Sequence, residues 1–356
     1  MKALVIGGGI HGVASALLLA RNGIEVTVLE KSPDILCGVS GATHTRAHAG
    51  YHYPRSPKTV QECQEGLLYF RKHYPDILVY PQETYYAISR EGSYISAQQF
   101  FDFCMSIGLY CELKWPSKDL LRHENLENCF LCREPLFNIR LLRQRLWREL
   151  TKLGVHVEVD KEVVDVDRGD FCTLITRLGK RYFGDLVVNA TYTDTNRISQ
   201  MFGCALVDYR LQTTEIVEVI TDLIIPSLTV LDGPFCSIQP QVDGENSYLA
   251  YDVLESVNEE TKGFFYHPEN HKVSKWPEMQ KRMESFFPFA DQLKKMRSHW
   301  GSRPLPYTQN AVRDDSRETR ILSNRQSYFS ILEGKFISAF TTAQKLWEMM
   351  EKKGLV

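Results

Sequence analysis

With 42 basic and 44 acidic side chains among 356 residues, the chain has a formal net charge of −2 at pH 7. That balance excludes a surface that binds nucleic acid or anionic membrane through net positive charge, and no apolar run approaches the ~20 residues of a membrane-spanning helix. Nine scattered cysteines, an odd number, read as reduced thiols of a cytoplasmic protein rather than as a disulfide framework.

The length suits one large domain or two interleaved ones. The chain is expected to open on a strand, Lys2–Ile6, whose apolar and branched composition is that of a buried strand. Starting at the second residue, that strand leaves no room for a signal or transit peptide. It breaks on Gly7-x-Gly9-x-x-Gly12. A helix is predicted next, from Val13 to Arg21, and then a strand from Glu25 to Leu29 that ends in Glu30. Strand, glycine turn, helix, strand and acid together form a dinucleotide-binding fingerprint. Gly7 permits the tight turn, Gly9 lets the backbone reach a pyrophosphate, and Gly12 lets helix and strand pack closely. The N–H groups and dipole at the helix start suit the pyrophosphate, and Glu30 suits a ribose hydroxyl.

From Lys31 to Ser56 runs a polar, glycine-bearing loop too long and too particular for a simple connector. In it His44, His48 and His52 recur every fourth residue, which on a helix would align three metal ligands. Ser40-Gly41, Gly50 and Pro54 argue against a helix there. No metal is expected, and the loop reads either as a cofactor and substrate loop or as a plain histidine-bearing one. Pro57–His73 and Ser96–Gly108 read as helices, and Tyr80–Arg90 alternates like a strand. Cys129-x-x-Cys132 has no second such pair in the chain, which excludes a four-cysteine zinc site. It leaves a redox dithiol or two half-buried thiols on a strand. Phe137-Asn138 introduces an amphipathic helix, Ile139–Leu153, closed by Gly154.

Strand candidates follow at Val155–Val159, Glu162–Asp167 and Phe171–Thr176, and a buried strand runs into Asn189-Ala190. Between Tyr209 and Tyr251 the period is mostly two, in Thr213–Thr221, Phe235–Gln239 and the start of Tyr248–Asp252, which predicts an antiparallel sheet. A polar helix is predicted at Lys275–Phe287. Trp300–Tyr307 then opens a loop bearing Arg303, Arg313, Arg317 and Arg320. A strand from Tyr328 meets Gly334-Lys335, and a last amphipathic helix covers Ser338–Lys352. The two textures alternate, so the domains are expected to be discontinuous. A nucleotide-binding domain takes residues 1–75, 139–205 and 300–356, and a substrate domain takes 76–138 and 206–299.

These residues resemble the D-amino-acid-oxidase-like flavoproteins, which bind FAD. The turn Gly7-x-Gly9-x-x-Gly12-x-x-x-Ala16, with Gly23 closing the helix, has the FAD form of the motif. Ser40-Gly41-Ala42-Thr43 with Arg46 resembles the flavin-contacting loop of FAD-linked glycerol-3-phosphate dehydrogenase. His48-Ala49-Gly50-Tyr51-His52-Tyr53-Pro54 resembles a segment of L-2-hydroxyglutarate oxidases, and Leu186–Thr191 the superfamily's second FAD strand. Arg303-Pro304-Leu305, Ser316-Arg317 and Gly334-Lys335-x-x-Ser338 resemble, in order, C-terminal motifs of the glycerol-3-phosphate enzyme. The resemblance implies an α/β fold in which an FAD-binding Rossmann-like domain of the glutathione-reductase-2 type interleaves with an antiparallel-sheet α+β substrate domain. It implies FAD contacts at Gly7, Gly9, Ile10, His11, Gly12, Glu30 and Lys31, and at Ser40, Gly41, Ala42, Thr43 and Arg46. Further contacts fall at His48, Ala49, Gly50, Val164, Ala190, Thr191 and Arg303, and at Gly334, Lys335, Phe336, Ile337 and Ser338. Two positions depart from the pattern: Tyr192 and Glu333 stand where the family has glycine. No histidine of the antiparallel sheet matches that enzyme's general base.

The chemistry so implied is hydride transfer from substrate to flavin N5 and proton transfer to a base. His48 or His52 is the candidate base, because imidazole titrates near operating pH. Arg303 and Arg317 suit a clamp on a carboxylate or phosphate, or are surface charge. Lys335 is either a charge near flavin or substrate or a solvated lysine. The leading expectation is an FAD-dependent oxidase or dehydrogenase acting on a small anionic 2-hydroxy acid or polyol phosphate, with oxygen or a carrier taking the electrons. An amine or amino-acid oxidase, an NAD(P)-binding reductase, and a nucleotide-binding protein that has lost catalysis are the alternatives.

Overall fold

A computed structural model of the chain describes residues 1–168, 172–262, 272–306, 319–325, 327–332 and 335–356. The opening strand Lys2–Ile6 lies inside a sheet whose strands run in the order Arg320–Arg325, Tyr328–Leu332, Leu186–Asn189, Lys2–Ile6, Glu25–Leu29 and His156–Glu158. All neighbours are parallel except the first pair. Alternation along Lys2–Ile6 feeds two cores. Ala3 and Val5 pack with Val13, Leu17 and Phe340, beneath the helices Ile10–Arg21 and Ala339–Lys352. Leu4 and Ile6 pack with Leu174, Val187, Ile198 and Phe202 on the other face. That face is covered by a three-stranded antiparallel sheet (Val163–Arg168, Cys172–Thr176, Arg181–Gly184) and the short helix Thr195–Met201. Burial on both faces accounts for a strand that is apolar almost throughout.

A larger sheet, nine-stranded among the described residues, forms the second layer. Thr84–Ser89, Leu126–Cys132, Tyr209–Ile220, Ser227–Leu231, Cys236–Pro240 and Ser247–Asp252 make its body. Pairing is antiparallel apart from Ser227–Leu231 against Thr84–Ser89. One face of this sheet packs Val217, Leu228, Ile238 and Ala250 on Met279 and Met283 of the helix Trp276–Met283. That helix is shorter than the sequence suggested, and its buried stripe is Trp276, Met279 and Met283.

Two expectations change. The segment from Trp300, read as a loop, is the end of a strand, Lys294–Pro306, paired along Tyr209–Ile220. Pro304 and Pro306 disguised it, since proline cannot donate to a ladder, but among the described residues the strand pairs on one side only and tolerates them there. Arg303 is therefore fixed on a strand opposite Gln212, and residue 300 falls inside this strand. Cys129 and Cys132 do lie on a strand, yet both are fully buried and belong to different cores, so they point to opposite faces and form no dithiol. Among the described residues no helix is long and apolar enough to cross a membrane.

Candidate active site

A cavity of about 540 Å³ runs from the carboxyl ends of the parallel strands to the larger sheet. At its first end is the glycine turn. Gly7 has φ +104°, and a Cβ there would lie 2.6 Å from the Ala190 carbonyl oxygen; at Gly12 it would lie 1.9 Å from the Gly7 oxygen. Gly12 thus serves helix packing, while Gly7, Gly9, Ile10 and His11 line the cavity. The helix starts at Gly9 with no side-chain cap and no acid in its first turn, which leaves N–H groups and the positive dipole end for an anion.

Glu30 is buried at the end of its strand, and its carboxylate accepts the Gly8 N–H (2.5 Å) and the Ser32 N–H (2.7 Å). Lys31 bonds Asp194 (2.8 Å), and Ser40 Oγ accepts the Ile10 N–H (3.1 Å), which ties the long loop to the turn. Lys31, Ser40, Ala42, Thr43, Ala190 and Thr191 all line the cavity. Tyr192 lines it too and has φ +58°, so the backbone keeps the left-handed conformation that favours glycine although a tyrosine stands there. Val163, not Val164, is on the wall. Gly41 is packed against the Leu36 carbonyl instead.

The other end is built by the larger sheet, the His44 loop and the start of the last helix. Arg303 places Nε and Nη2 on Gln212 Oε1 (3.3 and 3.0 Å), and Gln212 is oriented by donating Nε2 to Glu260 (2.6 Å). Tyr251 meets the His44 ring edge-on at 4.4 Å, and among the described residues neither the buried Tyr251 hydroxyl nor the buried His44 Nδ1 has a hydrogen-bond partner. Lys335 holds its ammonium 4.0 Å from the Tyr53 ring centre, and burial pulls it down to about 7. Its carbonyl pairs with His11 Nε2 at 3.0 Å. Burial lowers His11 to about 4, against the raising effect of that bond. His44 is held well below the ordinary imidazole range by burial and then by the charges of Arg46, His48, Arg303 and Lys335.

Beside His44 lies a cluster that includes both candidate bases, two half-buried imidazoles around a buried carboxylate. The loop is stitched to the segment after Leu126–Cys132 by Ala47 N–H to Pro135 O (2.9 Å) and Phe137 N–H to Thr45 O (2.6 Å). This brings Glu134, 2% exposed, under Arg46, His48 and His52. Arg46 Nη1 lies 2.8 Å from His52 Nε2. A guanidinium can only donate, so His52 is a neutral ring with its proton on Nδ1. His48 Nδ1 is 3.7 Å from Glu134 Oε1, and the two imidazoles meet edge-on at 4.9 Å. Burial and the Lys335 charge lower His48, Glu134 raises it, and Arg46 lowers it again.

Of the residues expected at the site, Phe336 lines this cavity, whereas Arg46, His48, His52, Ala49 and Gly50 do not, although the His48 side chain keeps 21% of its surface exposed. Ile337 is buried with its carbonyl against Gly66, and Ser338 caps back onto the Lys335 carbonyl (3.0 Å). Arg317 and Gly334, with Glu333, lie outside the described residues. Sequence reasoning missed Glu134, Tyr86, Gln212 and Tyr251, which arrive from strands and segments far away in the chain. A carboxylate in the apolar run Phe130-Leu-Cys-Arg-Glu134-Pro-Leu-Phe137 was the available signal for Glu134.

A nucleotide-binding parallel sheet joined to a large mixed sheet, with a cavity between glycine turn and sheet face, defines a flavoprotein oxidoreductase. The chain matches the model of the FAD dependent oxidoreductase (DAO) family over residues 2–324 and belongs to that family, so its cofactor is FAD. It is 29% identical over 251 residues to the FAD-dependent monooxygenase kojA of Aspergillus flavus, a match covering 67% of this chain and 58% of that protein's length. Its fold is similar to glycine oxidase from Geobacillus kaustophilus (TM-score 0.76, 18% identity, 99% of this chain and 95% of that one). It is also similar to L-alpha-glycerophosphate oxidase from Mycoplasma pneumoniae with FAD bound (TM-score 0.76, 15% identity, 98% and 94%).

The cavity fits that cofactor on two observations: Gly7 and Gly9 present bare backbone to it at the start of the helix, and a carboxylate closes the next strand. Glu30→Ala is expected to weaken FAD binding by about 10–100-fold, the range for hydrogen bonds to a charged group. Titration of apoprotein with FAD checks this. An unchanged Kd removes Glu30 from the cofactor site.

Proposed function

We propose that the protein oxidises a C–OH group of a small anionic substrate, a 2-hydroxy acid or polyol phosphate. The observation that carries this is the convergence of Arg46, Arg303 and Lys335 on His44 at one end of the cavity. Cations gathered in a partly dehydrated space are costly unless an anion offsets them, and a substrate carboxylate or phosphate would supply one. An amino acid would bring the same carboxylate but also an ammonium. Among the described residues, the carboxylates on the cavity wall are Glu30, Glu162 and Asp194, all at the nucleotide end. That arrangement favours the hydroxyl over the amine.

When bound, FAD supplies the acceptor for the hydride that leaves the substrate carbon. Glu30 and the turn at Gly7 and Gly9 would hold its ribose and pyrophosphate. Arg303 and Lys335 would bind the substrate anion, and His48, a partly exposed ring beside that end of the cavity, would take the hydroxyl proton through Nε2 as the carbonyl forms. His52 is less suited to that role, since its Nε2 lone pair already receives Arg46. The two sheets support a division into nucleotide and substrate domains, with 300–306 assigned to the substrate side along the strand Lys294–Pro306.

An anaerobic screen of hydroxy acids, sugar phosphates and amino acids, read by bleaching of the visible flavin band, tests this reading. Bleaching is expected with an anionic hydroxy compound. Bleaching confined to amino acids or to uncharged alcohols overturns it.

A further inference from the structure

We propose that Glu134 is the positioning residue of this site: from beneath the His48 loop it faces Nδ1 of His48 and leaves Nε2 of that ring as the basic atom. The inference rests on the reading of His48 as base. The geometry is that of a buried carboxylate that receives the Ala49 N–H and the Tyr86 hydroxyl and lies beside Arg46 and the two imidazoles. Oε1 accepts the Ala49 backbone N–H at 3.1 Å, next to His48 itself, and lies 3.7 Å from His48 Nδ1. Oε2 accepts the Tyr86 hydroxyl and lies 3.8 Å from His52 Nε2 and 3.9 Å from Arg46 Nε. Tyr86 comes from the strand Thr84–Ser89 and stays a donor, because burial beside the carboxylate keeps its phenol well above the ordinary range.

Two tautomers follow. His52 must accept from Arg46 at Nε2, so its proton is on Nδ1. His48 turns Nδ1 toward the anion, which favours the proton there and leaves the Nε2 lone pair free. A carboxylate behind an imidazole also stabilises the imidazolium formed when that ring takes a proton.

The same three residues, His48, His52 and Glu134, have ligand atoms within 4.8 Å of one another, the donor set of a two-histidine, one-carboxylate metal site. Arg46 excludes a metal there. Its Nη1 occupies the lone pair of His52 that a metal would need, and its fixed charge stands inside the cluster. The groups facing His48 are Lys335, Glu134, Arg46, His52, His44 and Tyr53. Among the described residues Glu134 is the one anion of this group.

The test uses the FAD-loaded protein. Nitrogen-15 NMR of its histidines, without substrate, is expected to show His48 and His52 both protonated at Nδ1. Glu134→Gln should lower the His48 pKa, because it removes the one anion, and should disturb that tautomer. In stopped-flow flavin reduction it should slow the rate by about 10–100-fold and move the acid limb of kcat/KM to lower pH, with Glu134→Asp in between. His48 protonated at Nε2 in the unaltered protein, a Glu134→Gln enzyme with the parent's rate and pH profile, or stoichiometric bound metal each overturns the proposal. If His48→Asn leaves flavin reduction intact while Glu134→Gln shifts the NMR signals, the base assignment fails and the positioning role is shown to serve another group, which also overturns the proposal as stated.

Discussion

His48→Asn is expected to lower kcat/KM for flavin reduction by about 10²–10⁴-fold, the contribution of a positioned general base, while FAD remains bound. Asparagine keeps much of the shape and a polar tip but accepts no proton. The pH profile gives the sign. His48 acts when neutral, so kcat/KM should fall as pH drops through its pKa in the free enzyme. Burial, Lys335 and Arg46 depress that pKa and Glu134 raises it in part, so the acid limb should lie below the ordinary imidazole range. His52→Asn makes the contrast: it empties the Arg46 contact and should cost less than His48→Asn. A His48→Asn enzyme that reduces flavin at the parent rate would refute the assignment.

What could be read beforehand followed locality. The strand, turn, helix, strand and Glu30 are consecutive in sequence, so nucleotide binding was legible from the first 30 residues, whereas FAD and the interleaved fold rested on a resemblance spread along the chain. The His44–Pro54 loop was legible as chemistry, but its histidines could not be told apart. What separates His48 from His52 is one contact, Arg46 to His52, and one partner, Glu134, that is 86 residues from His48 in the chain and reaches it through the pairing of 45–47 with 135–137. The strand Lys294–Pro306 was missed because local rules score its prolines against a strand, whereas pairing along Tyr209–Ile220 decides the matter. Tyr192 shows the converse. The glycine pattern failed in sequence, yet the backbone holds φ +58° there.

Arg303 and Lys335 carry the last expectation. Two N–H donors of Arg303 go to Gln212, which Glu260 holds in place, so the guanidinium plane is set before any substrate arrives. Arg303→Ala should remove a charge-assisted contact worth about 1.5–3 kcal/mol, roughly a 10–150-fold rise in KM. Arg303→Lys should recover little, because a point charge replaces a planar fork already locked to Gln212. Lys335 differs in kind. Buried to the point where its ammonium falls to about 7, it is charged below that pH and neutral above, so kcat/KM for an anionic substrate should decline as pH rises through about 7. Lys335→Arg, whose charge does not titrate in this range, should abolish that alkaline limb while leaving the acid limb of His48 in place. Steady-state profiles of the three variants on an anionic substrate decide it. An unchanged KM in Arg303→Ala, or an alkaline limb that survives in Lys335→Arg, would show that the anion binds elsewhere.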